Sequence, residues 1–591
     1  MAEIGNFQEN IHLANFENQY RQKLITDSAI TDYRREKESL NGLWNYAVDQ
    51  YDTCLRAKWF EEIYEDAYGR PYPMDFSFDS WPTINVPSCW NLKEDKLHIY
   101  EGTLVYTRRF TYHNHGEDRV FIKIGAANYQ AAVFVNKKYM GMHLGGSTPF
   151  YVEVTDVLEK ENRILIAVNN TRRRTNVPCD NTDWFNYGGI YRDVELLRLP
   201  KAFVRDFKIY LKPDSDFGKI CAEVMVDGAS SGTAKLSIAE LGIDADIGLT
   251  NGKGSITIDA KPQLWDVDNP KLYNAEVAFE GDKLCERIGF REIKVVGEEV
   301  YLNGKKIFLR GVCSHEESVP NGKAMSDEEI LESYRIAKEM NCNFMRLAHY
   351  PHTERASQIA DEVGMLLWEE IPVYWAIEFG NKDTYIDAEN QLAELILRDY
   401  NRASVIIWSV GNENADTDER LTFMSNLAKK SKELDPTRLV SAACLVNHHH
   451  DALVIADRLC DDVDIIGINE YYGWYEPDFS KLMKVFENSK PGKPVIISEF
   501  GADAYPGMRG TKDTMFTEDH QLHVYQQQIQ AFTNGPSYLC GVSPWILFDF
   551  RCPRRTHHMQ GYYNRKGLVH ADKKEKKLAF YAMQEYYATK R

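Results

Sequence analysis

Two glutamates draw attention by where the chain puts them. Val405 to Asn414 reads VIIWSVGNEN, and Pro494 to Asp503 reads PVIISEFGAD. Each opens with a β-branched apolar run that suits a strand buried on both faces. Each then passes into small and polar residues and delivers a carboxylate, Glu413 beside Asn412 in the first and Glu499 in the second. An ionised glutamate leaving a buried strand costs several kcal/mol, roughly, unless something engages it. Taken singly, either is explained as a helix cap or a rim ion pair. Taken together, they suit glycosidic bond cleavage, in which one carboxylate attacks the anomeric carbon. The other protonates the departing oxygen and then activates water.

The elements that must position this pair follow from the periodicity. After Lys294 apolar runs alternate with helical patterns, beginning at Ile307, Asn343, Leu366, Val405, Arg438, Val463, Pro494 and Cys540. In SDEEILESYRIAKEM, Ser326 is a helix cap, Glu329 closes the capping box, and Ile330, Tyr334, Ala337 and Met340 share one face. Eight strands alternating with helices over residues 296–591 predict a (β/α)₈ TIM barrel. Glu413 would then end strand four and Glu499 strand seven, converging at one mouth although 86 residues apart. Upstream, short strand-like runs separated by turns predict two β-sandwiches. Residues 1–200 suit a jelly roll, with Arg163 to Val168 alternating like a half-buried strand, and residues 201–295 suit an immunoglobulin-like sandwich.

Bulk properties narrow the function classes. A chain of 591 residues is too long for one core, and 43% hydrophobic with 27% charged residues is an ordinary soluble composition. A net charge of −18 argues against a nucleic-acid partner and requires a local cation for any anionic substrate. The 12% aromatic content tilts slightly toward sugar recognition. No apolar run reaches about 18 residues, so no membrane span is expected, and no signal peptide is visible, so the expected location is cytoplasmic. Eleven scattered cysteines without CxxC spacing read as reduced, mostly buried thiols. NHHHD, Asn447 to Asp451, lacks a metal-ligand frame and reads as a loop after strand five, so no metal is expected. TRRRTNVP, Thr171 to Pro178, suits a surface or interface role, and DKKEKKLAF after Asp572 the solvated start of a final helix.

VIIWSVGNEN resembles the acid/base signature of glycoside hydrolase family 2, and PVIISEFGAD resembles its nucleophile segment. LNGLW, VPSCWN and YEGTLVYTRRF are similar to the family's sugar-binding domain, and LWDVDNPKLY, GFREIKV and LNGKKIFLRGVCSHE to its domain junction and first barrel strand. The resemblance spans nearly the whole chain and implies the same order of jelly roll, immunoglobulin-like domain and barrel. It implies a retaining double displacement with Glu499 as nucleophile and Glu413 as acid/base. It also implies that Asn412 bonds the sugar 2-hydroxyl and that Tyr471 donates to the nucleophile and keeps it ionised. The general acid must stay protonated, so the two environments should push the pKa values apart.

Asn564 and Lys566, in HHMQGYYNRKGLV, form an N-x-K pattern that resembles the family's β-glucuronidases, where the pair holds the sugar's C6 carboxylate. The physics agrees, because a buried carboxylate needs a cation and a donor, whereas a neutral galactoside would leave Lys566 unpaired. The same resemblance places Asp183 on a loop reaching the sugar hydroxyls. It places His315, Asn469, Tyr471, Tyr475 and Trp545 in the pocket, with Trp545 as the floor under the ring. Read without it, His315 is a satisfied strand-end histidine and Tyr475 a packing residue. Gln560 stands where well-known β-glucuronidases carry an arginine, which keeps an altered preference such as a β-galacturonide open; a β-galactosidase or β-galacturonidase on the same scaffold is the alternative enzyme. The segment IPVYWAIEFGNKDTYID lacks the long loop of some relatives, implying an open leaving-group side. The expected partners are small-molecule or oligosaccharide β-glucuronides and further copies of the chain, as a dimer or tetramer. No cofactor is required by this chemistry; some relatives bind a flavin, and no motif decides that point here. Outside enzymes, the alternative is a non-catalytic carbohydrate-binding protein.

Overall fold

The computed structural model describes residues 23–62, 68, 78–113, 116, 118–449 and 452–591. Its first body is a β-sandwich of a six-stranded and a four-stranded sheet. Trp44 and Ile166 from the larger sheet and Ile122 and Phe150 from the smaller one share the core. Glu161–Asn169 is more buried than its alternation suggested. Ile164, Ile166 and Val168 enter the inter-sheet core, while Leu165 and Ala167 are covered on the outer face by Cys54, Val105 and Phe134. The alternation of residue size there records two different cores rather than a wet face. Next comes a seven-stranded antiparallel sheet from Phe203–Leu211 to Asp282–Ile288, curled around its own core of Phe207, Leu236 and Val277.

The third body is a closed parallel barrel. Its strands are β1 (Leu309–Arg310 continued by Cys313–Ser314), β2 (Phe344–Leu347), β3 (Leu366–Glu370) and β4 (Val405–Asn412). β5 (Leu439–Leu445), β6 (Ile466–Asn469), β7 (Val495–Glu499) and β8 (Leu539–Val542) complete it. Closure is direct: the two halves of β1 pair with β8 and β2 respectively. The apolar run of β4 is buried on both faces, as the sequence requires. Val405, Trp408 and Val410 meet the helices, while Ile406 and Ile407 fill the barrel's lower interior with Phe344, Trp368 and Ile496.

Helices follow seven of the eight strands among the described residues; after β5 a short 3₁₀ turn, Arg458–Asp461, stands instead. The first helix, α1 (Asp327–Glu339), forms the expected capping box between Ser326 and Glu329, and Ile330, Tyr334 and Ala337 bury its apolar face. Ser326→Ala is expected to lower the barrel's unfolding free energy by about 0.5–2 kcal/mol, read as a shifted urea midpoint.

Two local readings change. Asn447–His449 pairs with Ala452–Val454 as a hairpin rather than a loop, while His450 and Asp451 lie outside the described residues. The lysine run after Asp572 is not simply solvated, for Lys577 is fully buried and donates to Asp549 at 2.7 Å and to the carbonyls of Ala504 and Arg565. The basic run near Thr171 is interfacial in part, with Arg172 on Glu101 and Arg174 on Glu378. Its neighbour Phe185 donates its backbone N–H to Arg551, which ties the Asp183 loop of the sandwich to the barrel mouth. All eleven cysteines are free thiols, most of them buried.

Candidate active site

The ends of β4 and β7 deliver Glu413 and Glu499 to one cavity of about 360 Å³ at the C-terminal face of the barrel, where barrel enzymes build their sites. A larger cleft of about 1170 Å³ lies around Arg310, Lys338 and Gly364 at the opposite face and holds neither glutamate. Glu413 sits in a left-handed backbone conformation, φ 53°, which is strained for a residue with a Cβ. Its N–H is held by the Ala443 carbonyl at 2.8 Å. Its carboxylate accepts from Trp375 Nε1 at 2.8 Å and Asn469 Nδ2 at 2.9 Å. Trp375 is left-handed as well, φ 54°.

Glu499 is almost wholly buried and accepts from Arg346 Nη1 at 2.8 Å and the Tyr471 hydroxyl at 2.7 Å. Arg346 Nη2 also donates to Asn412 Oδ1 at 2.7 Å, and Asn469 Nδ2 donates to the same oxygen at 3.0 Å. With its carbonyl oxygen held twice, the Asn412 amide is fixed with its NH₂ as the remaining donor. Arg346 further grips Glu370 with two bonds of 3.0 Å, and His349 Nδ1 meets Glu370 at 2.7 Å. Burial works to raise Glu370, but Arg346 and His349 hold it down at about 2.

The donors expected around Glu499 are therefore present, yet burial outweighs them. Burial raises its carboxyl to about 8; Arg346 opposes the shift, Glu413 adds to it, and Tyr471 opposes it. The physical reason is that one guanidinium serves two buried carboxylates, Glu370 and Glu499. A carboxyl raised from 4.5 to about 8 keeps a proton that the unfolded chain releases. This stability contribution is full below about 4.5 and is lost as pH rises toward about 8. Glu499→Gln, which cannot titrate, is expected to gain in melting temperature over the parent as pH goes from 5 to 8. A gap that stays constant across that range would contradict the shift.

The other end of the cavity carries Asn564 and Lys566, both nearly fully buried. Lys566 is not a free cation, for its Nζ lies 2.9 Å from Asp503 and 3.1 Å from the Tyr475 hydroxyl, with Tyr471, Trp474 and Tyr475 rings around it. Gln560 donates to the same Asp503. Asp183 reaches the cavity, accepting from Asn564 Nδ2 at 3.3 Å and from Arg555. Trp545 lines the wall and stacks on His349 at 4.7 Å. Tyr475 is exposed at the rim. His315 is brought near but packs against Trp184, Trp545 and Phe550 behind the lining, its Nδ1 on the Tyr350 hydroxyl at 3.1 Å.

Sequence reasoning passed over Arg346, His349, Glu370, Trp375, Asp503 and Arg555. Arg346 in NFMRLA and Glu370 in LLWEE had one signal available, a charged residue within a run otherwise fit for burial. Trp375, Asp503 and Arg555 lie in loops with none. Among the described residues no cluster of His, Cys, Asp and Glu is arranged to hold a metal ion.

A (β/α)₈ barrel that sets paired carboxylates at the ends of its fourth and seventh strands, behind two β-sandwiches, defines a glycoside hydrolase. Residues 293–590 match the model for "Glycosyl hydrolases family 2, TIM barrel domain", residues 37–200 its sugar binding domain and residues 202–291 a third family 2 model. The chain belongs to glycosyl hydrolase family 2. A beta-glucuronidase of Streptococcus agalactiae is 28% identical over 92% of this chain and 95% of its own length. One from Homo sapiens is 28% identical over 94% and 91%. Among solved structures, an uncultured Clostridium beta-glucuronidase superposes with a TM-score of 0.82 at 24% identity, covering 95% of this chain and 99% of that one. A GH2 beta-galacturonidase from Eisenbergiella tayi bound to galacturonate gives 0.80 at 24% identity, covering 94% and 97%.

Proposed function

We propose that the chain is a retaining exo-acting β-glucuronidase, with Glu499 as nucleophile and Glu413 as acid/base. The observation that carries this reading is the placement of Lys566 and Asn564 in the wall of the cavity that holds both glutamates. A buried ammonium and an amide donor suit the C6 carboxylate of a uronide and are poorly matched to a neutral hexoside. Trp545 offers an apolar face for the sugar ring, and Asn412 and Asp183 polar contacts for its hydroxyls.

Lys566→Gln is expected to lower kcat/KM on an aryl β-glucuronide by about 10²-fold or more and on the matching β-glucoside far less. Equal losses on both would refute the carboxylate role. Because Asp503 would lose its cation and keep only the Gln560 amide, the Lys566→Gln, Asp503→Asn double variant separates lost recognition from lost stability. A β-galacturonidase is the second reading, favoured by Gln560, which stands where well-known β-glucuronidases carry an arginine and is bonded to Asp503. A panel of chromogenic β-glycosides differing only at C4 and C6 decides between them.

On this reading hydrolysis needs no cofactor and the enzyme works in the cytoplasm as a dimer or tetramer, with domain junctions near residues 200 and 295. Only eleven residues, 371–381, join β3 to the helix Lys382–Asp399, which suits an open leaving-group side and large conjugates or oligosaccharides. No helix among the described residues is long and apolar enough to cross a membrane.

A further inference from the structure

An anion site cannot rest on Lys566 alone here, because Asp503 already balances its charge and Gln560 is turned to the same carboxylate. A second carboxylate, Asp183, stands in the same cavity wall. Carboxylates outnumber cations in the lining, with Asp183, Glu413, Glu470, Glu476 and Glu499 against Lys566 and Arg555, and Asp503 pairs with Lys566 from behind, so an anionic sugar needs every cation the wall offers. Arg554 reaches Asp183 only at 3.7 Å and is not in the lining; Arg555, on the loop after β8, is the cation beside Lys566. It lines the same cavity and pairs with Asp183.

The hydrogen bonding is directional as well. Arg555 Nη1 donates to the Tyr475 hydroxyl oxygen at 3.1 Å, and Lys566 Nζ donates to that same atom at 3.1 Å. Two cationic donors take up the lone pairs of one phenol oxygen, so its own hydrogen must point away from both. Tyr475 is 60% exposed at the cavity rim, so this hydrogen is offered to the side from which a ligand enters. A guanidinium has five N–H donors; Arg555 uses Nη1 on Tyr475 and Nη2 on Asp183, while Nε has no hydrogen-bond partner among the described residues.

We propose that Arg555 is the second cation of the substrate-carboxylate subsite, acting with Lys566 through the hydroxyl of Tyr475 that bridges them. The ligand it selects is the uronate carboxylate, so the inference rests on the uronide reading. Arg555 here is a specificity residue: it sets the charge of the wall and aligns the Tyr475 donor, and it takes no part in bond cleavage.

The test compares the parent enzyme, Arg555→Gln, Arg555→Lys and Tyr475→Phe on 4-nitrophenyl β-glucuronide and 4-nitrophenyl β-glucoside. It also measures inhibition by glucuronate and by its neutral amide, which needs no turnover. Arg555→Gln is expected to raise KM for the glucuronide by about 10- to 100-fold, the scale of a lost charge-assisted bond. The effect on kcat should be within about threefold. Glucuronate should lose affinity in parallel and its amide far less, Arg555→Lys should recover part of the loss, and Tyr475→Phe should shift KM in the same direction. Equal losses on the glucuronide and the glucoside would mean that Arg555 only props Asp183, and would overturn the proposal. So would an unchanged glucuronide KM in Arg555→Gln while Lys566→Gln is crippled, an outcome that leaves the uronide reading standing. A parent enzyme that prefers the glucoside would remove the uronide reading itself, and this inference with it.

Discussion

Glu499→Gln is expected to reduce hydrolysis by on the order of 10⁴-fold or more, the scale on which removal of a nucleophile acts in covalent catalysis. The amide is nearly isosteric and keeps its place between Arg346 and Tyr471, so loss of activity with intact folding isolates the chemistry. Glu413→Ala should behave differently, and the difference identifies the roles. With an aryl glycoside whose phenolate leaves unaided, attack by Glu499 still proceeds. The glycosyl-enzyme then accumulates, because no base remains to activate water. A burst of phenolate followed by slow turnover is the expected trace. Azide, which needs no deprotonation, should replace water and restore turnover with a glycosyl azide as product. If Glu499→Gln rather than Glu413→Ala gave the burst and responded to azide, the assignments would be exchanged. A binding protein without catalysis would show neither response.

Arg346→Met is expected to have the second largest effect, on stability and activity together. Arg346 is fully enclosed and makes charge-assisted bonds to Glu370, Glu499 and Asn412 at once. Methionine fills much of the volume but leaves the buried Glu370 carboxylate without its cation, which costs about 3–5 kcal/mol. It also frees the Asn412 amide and the Glu499 carboxylate to move, and an ångström of misplacement costs about 10²-fold in rate. Arg346→Lys should fall between, since an ammonium keeps the charge but cannot fork to Glu370 while reaching Glu499 and Asn412. Denaturant unfolding and kcat/KM measured on the same preparations check both parts. An Arg346→Met enzyme of parental stability would show that water already satisfies Glu370.

Much of the fold was legible because it is written locally. The strand that ends at Glu413 is recognisable from three consecutive β-branched residues, and α1 from the Ser326–Glu329 box and its apolar face, since each depends on neighbours within a few residues. Glu413, Glu499, Asn564 and Lys566 were legible because each sits in an extended motif. The strand Glu161–Asn169 was misjudged because periodicity reports two faces but not whether the second meets water or another core. Lys577 was misjudged for a related reason: a lysine run looks solvated until one member finds Asp549 from 28 residues away.

The amino-acid sequence thus determined the parts by itself: two sandwiches, a barrel, a pair of strand-end glutamates and a cation after the last strand. Only the tertiary structure decided the partners. Closing the barrel sets Arg346 against Glu499 across 153 residues, and docking the first sandwich sets Asp183 against Arg555 across 372. It likewise paired Lys566 with Asp503 across 63 residues. Such pairings depend on which buried side chains meet at bonding distance in a low dielectric, where leaving either charge unmatched costs several kcal/mol, roughly. Local pattern carries no record of that choice, because it is made by groups that are neighbours only in space.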